Sequence, residues 1–202
     1  IVGGGVRYSE AGETVEKFCE EFKIPFGESQ AGKSACKSSH PYCLGGIGVT
    51  GTYASNIIAE DADVVIAIGS RMSDFTTSSK RLFKNPDVKF VTINNFRFHA
   101  YKMDAAKAVG DAKVTVEALT KKLRARGYVS AYNGEIEEAK KVWDKEMVRL
   151  AGIEYTGDDF EPIIKARDPR TIPEFVKMTN GKITQTAALA AIRRVIDEDA
   201  TI

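Results

Sequence analysis

The chain has 202 residues, 43% of them hydrophobic and 28% charged, and its 29 Lys and Arg against 28 Asp and Glu leave a formal net charge of +1. That balance excludes a disordered tail or a collagen-like chain. With no block of five like charges, it also offers no electrostatic footprint for nucleic acid or an anionic membrane surface. No apolar run approaches the roughly 18 residues of a membrane span, and Val64-Val65-Ile66-Ala67-Ile68 is strand length. Three cysteines, Cys19, Cys36 and Cys43, are an odd number in a chain large enough to build a core unaided, which predicts a reducing, cytoplasmic setting.

Ile1-Val2 reads as a strand end and Gly3 to Gly5 as a tight turn. The opening and closing letters together predict a piece of a longer polypeptide. Ser9 reads as the N-cap of a helix over 9–22, with Ala11, Val15, Phe18, Cys19 and Phe22 at helical spacing. Ile24-Pro25-Phe26 predicts a short strand, and residues 27–48, rich in Gly, Ser and Lys, a long functional loop. A helix follows over 50–60 with Ala54, Ile57 and Ile58 inward. The run from Val64 to Ile68 then predicts a strand buried on both faces, ended by Gly69.

Phe90-Val91-Thr92-Ile93 and Lys107-Ala108-Val109 are further strands. Gly110-Asp111 caps a helix carrying Ala112, Val116, Leu119 and Leu123, which Gly127 closes. Parallel neighbours need crossover connections, so this alternation predicts an α/β domain over 1–127. It is a doubly wound, mainly parallel sheet of five to six strands with helices on both faces. Residues 128–183 read as a helical and extended connection. There Asn133 caps a helix bearing Ile136, Ala139, Val142, Trp143, Met147 and Leu150, and Pro162, Pro169 and Pro173 favour an extended path. Ala188, Leu189, Ile192, Val195 and Ile196 mark a last helix, so that 184–202 opens a further domain and ends in a cut strand at Thr201-Ile202.

Gly27-Glu28-Ser29-Gln30-Ala31-Gly32-Lys33-Ser34 satisfies G-x-x-x-x-G-K-[ST], the pattern of a phosphate-cradling loop. The helix that mechanism needs is lacking, since Pro41 and Gly45-Gly46 interrupt the following residues and Ile68 leads into Gly69-Ser70 rather than a metal-binding Asp. A P-loop nucleotide module resting on Lys33 is therefore the alternative reading from another class. Gly3, Gly5 and Tyr8 miss the dinucleotide fingerprint, which wants glycine at the third of these positions. Cys36, His40 and Cys43 lack a fourth ligand, so no metal site is expected. Arg71, Asp74, Asn94 and Asn95 follow strands at the carboxyl edge, where open α/β sheets bind ligands. There Arg71 offers a planar fork to a phosphate or carboxylate, with an Arg71–Asp74 ion pair as the bland account.

Taken in order, Ile1-Val2-Gly3-Gly4-Gly5, Gly32-Lys33-Ser34-Ala35, His40-Pro41, Leu44-Gly45-Gly46-Ile47-Gly48, Gly51-Thr52, Ala62-Asp63-Val64-Val65, Gly69-Ser70-Arg71-Met72-Ser73-Asp74 and Thr92-Ile93-Asn94 resemble the central domain of thiamine-diphosphate-dependent enzymes. Phe26 to Ala35 and Asp74 to Lys80 resemble, more narrowly, a branch that hydrolyses a ring carbon–carbon bond of a cyclic dione in inositol catabolism, forming 5-deoxyglucuronate. An acetolactate-synthase-like enzyme or a 2-keto acid decarboxylase is the alternative within the superfamily.

The resemblance implies thiamine diphosphate and a divalent metal held outside this chain. The activating Glu would lie in a preceding domain and the Gly-Asp-Gly motif in a following one. It implies flanking domains of the same polypeptide and a homo-oligomer as partners, and no catalytic residue here, so the fragment alone is expected to be inactive. Relatives that hold FAD or ADP in this domain do so at positions matching Gly4, Gly5, Arg71 and Asn94, although Asn94 stands where relatives commonly carry Asp. The default expectation is a structural domain with an empty crevice.

Overall fold

The computed structural model describes residues 1–153, 170, 173–174, 177–178, 183–197 and 200. The chain divides into two compact units, Ile1–Trp143 and Asp144–Ile202.

Three strands of the first unit, β3 (Val64–Ile68), β4 (Lys89–Asn94) and β5 (Ala106–Val109), pair in parallel in the order β3-β4-β5, with Ile68 opposite Ile93 and Asn94 opposite Val109. β1 (Phe26–Glu28) and β2 (Cys43–Gly46) form a separate parallel pair. The two sheets meet at Val2, which bridges in parallel to Glu28 on one side and Ile68 on the other. The α/β class stands, but as sheets of two and three strands seamed by Val2, because the chain leaves the seam at Gly3 and adds no further rungs there.

Side chains alternate across a strand, and the packing follows that period. Phe26, Cys43, Ile66, Ile68 and Ile93 face a core shared with Val15, Phe18 and Phe22 of α2 (Gly12–Phe22) and Val116 of α6 (Ala112–Ala125). Leu44, one residue on from Cys43, turns instead to Ala54 of α3 (Tyr53–Glu60) and to Ile136 and Ala139 of α7 (Glu135–Ala151). Helices thus cover opposite faces.

Several elements differ from their sequence reading. The helix expected over 9–22 is two, α1 (Gly4–Tyr8) and α2, because the glycines wind into the first and Glu10, at φ 49°, breaks the chain between them. Ser9 consequently ends α1 as its C-cap, with its N–H on the Gly5 carbonyl at 3.0 Å, and Ala11 precedes α2 with no side-chain cap. The strand expected at 24–26 begins at Phe26, the first residue past Pro25 with an N–H to give, which goes to the Tyr42 carbonyl at 2.9 Å. The supposed loop over 27–48 contains β2. Val64 is 52% exposed and Ile66 half-buried, so β3 is fully buried only on the face of Val65 and Ala67 and at Ile68.

Asn133 provides no cap for α7, its own N–H pointing to the Glu135 carboxylate at 2.7 Å. Asp111 caps α6 as expected, accepting from Val114 N–H at 3.1 Å. Two short helices, α4 (Asp74–Thr77) and α5 (Arg97–Ala100), follow β3 and β4.

In the second unit, Pro173 sits in a helical turn closed by Glu174 N–H on the Arg170 carbonyl at 3.0 Å, where extended chain is expected, since a proline fits a first helical turn. The last helix, α8 (Gln185–Arg193), is capped by the Thr184 hydroxyl. The path around Pro162 and Pro169 and the strand at Thr201-Ile202 lie outside the described residues.

Candidate functional site

Because every paired strand is parallel, the carboxyl ends of β1 to β5 and of the Val2 seam share one edge. Gly3, Gly4 and Gly5 lead off that edge, as do Gly69 to Arg71 after β3, Asn94 at the end of β4 and Asp111 just past β5.

The glycines are explained by close backbone packing. Gly3 N–H donates to the Ile68 carbonyl at 2.8 Å and Gly5 N–H to the Gly69 carbonyl at 3.0 Å. A Cβ on Gly5 would lie 2.7 Å from Gly69 Cα, and one on Gly4 would sit 3.0 Å from the Ala31 carbonyl oxygen. Gly69 itself has φ +60°, a conformation in which a side chain is strained. The space a ligand backbone contact would need is thus taken by neighbouring chain.

Asn94 is buried and fully engaged. Its amide nitrogen donates to the Ser70 carbonyl at 3.1 Å, and its oxygen accepts from Phe96 N–H at 3.0 Å. Of the four residues predicted to hold a cofactor, only Arg71 extends an exposed side chain. No ion pair joins it to Asp74 among the described residues, and Asp74 instead opens α4 behind the Ser73 cap.

An aromatic cluster beside Arg71 was not foreseen. Phe96 and Phe98 each stand edge-on to the His99 ring with centroids 5.3 Å away, Lys102 lies over Phe98, and Lys107 lies over Tyr101 at 4.4 Å. Desolvation, then the charges of Lys102 and Arg71, hold the His99 imidazole below its ordinary pKa. The alternation Phe96-Arg97-Phe98-His99 directly after a strand was the available signal, hidden because α5 is a single turn.

The P-loop pattern fails on geometry. No helix follows Lys33, Ser34 takes φ 64°, and any Cβ on Gly32 would run into the Val2 carbonyl. The Lys33 ammonium turns back on its own segment, donating to Ser38 Oγ at 2.6 Å and lying 3.4 Å from Glu28 Oε2. Cys36 and Cys43 are buried free thiols, with Cys36 pushed by burial up to about 12. His40 Nδ1 accepts from Tyr42 N–H at 3.2 Å. Among the described residues no three His, Cys, Asp or Glu side chains gather to hold a metal ion. Nor is there a helix among them long and apolar enough to cross a membrane. Two depressions lie away from this edge, one of about 570 Å³ between α2 and α6 and one of about 550 Å³ beside Glu13, Glu16 and Ser34.

Parallel sheets covered by helices on opposite faces, with a carboxyl edge packed by glycine backbone, define an α/β domain of the doubly wound class. Residues 1–119 match the family model described as the thiamine pyrophosphate enzyme central domain, and the chain belongs to that family. It is similar over its whole length to 3D-(3,5/4)-trihydroxycyclohexane-1,2-dione hydrolases: 59% identical to that of Clostridium botulinum (strain Alaska E43 / Type E3), covering 31% of the relative. The enzyme of Clostridium perfringens (strain ATCC 13124) is likewise 59% identical, with 32% covered. One of two such proteins of a Bacillus cereus strain is 52% identical, with 31% covered. The chain thus spans about a third of the length of these curated relatives.

Proposed function

We propose that this chain is the central scaffold domain of a thiamine-diphosphate-dependent enzyme that hydrolyses a ring carbon–carbon bond of trihydroxycyclohexane-1,2-dione, giving 5-deoxyglucuronate. The observation that carries the reading is identity of 59% across all 202 residues to proteins so named. The structure supports the scaffold role: the conspicuous candidates, Lys33, Cys36, His40 and Asn94, are spent on contacts within the chain.

Thiamine diphosphate and its divalent metal would be held by the flanking domains. Domain limits of 1–127, 128–183 and 184–202 belong to the same reading, as do a homo-oligomeric parent and a cytoplasmic setting, which three free thiols favour. At the carboxyl edge, the residues matching nucleotide-holding relatives are Gly4, Gly5, Arg71 and Asn94. Arg71 alone has a side chain open to a phosphate of FAD or ADP, so the edge serves first as packing.

The test compares two proteins. The full-length polypeptide, with thiamine diphosphate and magnesium, is expected to consume the dione in preference to pyruvate, and residues 1–202 alone to turn over neither. Pyruvate consumption by the full-length protein would move the assignment to a synthase or decarboxylase. Dione cleavage by the fragment would overturn the scaffold reading.

A further inference from the structure

Glu28 is an uncommon feature of a sheet interior. Its side chain is 1% exposed at the end of β1, and its Oε1 has no hydrogen-bond partner among the described residues. Its one ion pair among those residues is with the Lys33 ammonium, 3.4 Å from Oε2, while the same ammonium makes a 2.6 Å bond to Ser38 Oγ. Lys33 is 59% exposed, so it shares its charge with water as well. A buried carboxyl group with one oxygen unpartnered is destabilising for the arrangement that buries it, because that atom loses the hydrogen bonds water would give it.

Its ion-pair partner Lys33 belongs to the segment 29–42, which runs from β1 to β2. That strap is largely exposed, held to the core through Cys36, Ala35 and Tyr42, with the His40 ring beside Phe26. Cys36 Sγ reaches the Gly12 carbonyl at 3.7 Å, Lys37 N–H reaches the Glu16 carboxylate, and the Lys140 ammonium reaches the Pro41 carbonyl at 2.9 Å. Within the strap Ser34 holds a left-handed backbone at φ 64°, a strained choice for serine that opening would release.

We propose that the strap 29–42 opens locally while the rest of the first unit stays folded, and that hydration of Glu28 in the open state sets how often it does so. Lys33, on this account, is a positioning residue that restrains the opening by partly neutralising Glu28. The inference does not depend on the substrate of the parent enzyme. An opening confined to 29–42 exposes the Cys36 thiol, which gives it a chemical readout as well as an exchange readout.

The test uses the full-length polypeptide, with hydrogen exchange and iodoacetamide alkylation of Cys36 both read peptide by peptide. In the unsubstituted protein, peptides within 29–42 exchange faster than those covering β3 and β4. Lys33→Met, which leaves the buried charge alone, raises exchange and Cys36 alkylation together, by about fivefold or more. Glu28→Met combined with Lys33→Met removes charge and partner both, and brings the two rates down to or below those of the unsubstituted protein. Glu28→Gln gives the same ordering should the double variant fold poorly. The proposal is overturned by a double variant that opens as often as Lys33→Met, or by strap amides protected as strongly as those of β3.

Discussion

Gly27 has no room for a side chain. A Cβ there would run into Ser55 Oγ and lie 3.1 Å from Ile47 Cβ. Ser55 Oγ is itself buried with no partner among the described residues, so the hydroxyl stabilises nothing by hydrogen bonding. Gly27→Ala is expected to destabilise the protein by about 2 kcal/mol through overpacking. Ser55→Ala alone is expected to be close to neutral, and in its background Gly27→Ala should cost at least about 1 kcal/mol less. Urea melts of the four proteins measure the coupling, and strictly additive costs would show that the two groups do not collide. The letters placed Gly27 in a phosphate-loop pattern, and Gly4, Gly5, Arg71 and Asn94 at the carboxyl edge, from strand counting alone. They could not show that Asn94 spends both polar groups on Ser70 and Phe96, or that Lys33 folds back on Ser38, because such contacts join residues that only the tertiary fold brings together.

Elements were legible where local chemistry decides them. Asp111 announced α6 because a side-chain acceptor before an amphipathic run satisfies orphan N–H groups whatever the surroundings. β2 was illegible, since Cys43-Leu44-Gly45-Gly46 has weak strand preference and is held as a strand by β1 and by α3. Thr52 connects these two kinds of element. Its hydroxyl accepts from Ser55 N–H at 3.0 Å, capping α3, and donates to the Leu44 carbonyl in β2. Thr52→Ala loses the cap and the bond to the strand at once, so a loss of about 1 to 2 kcal/mol is expected. Thr52→Ser keeps the hydroxyl and should recover most of it. Equal losses for the two variants in thermal or urea unfolding would assign the effect to the missing methyl, which packs toward Gly45, rather than to the cap.

At the scale of the molecule, one short seam joins the two sheets. Val2 N–H bonds the Gly27 carbonyl at 2.8 Å, Ile68 N–H the Ile1 carbonyl at 2.9 Å, and the Ile1 amine the Ile66 carbonyl at 2.7 Å. Val2 is 1% exposed and belongs to the core that α2 and α6 share, so the one residue that bridges both sheets also packs beneath them. Val2→Ala keeps the backbone bonds of the seam and removes only that packing, and a loss of about 2 kcal/mol is expected in urea unfolding. A loss below about 0.5 kcal/mol would mean that the backbone bonds alone hold the two sheets together.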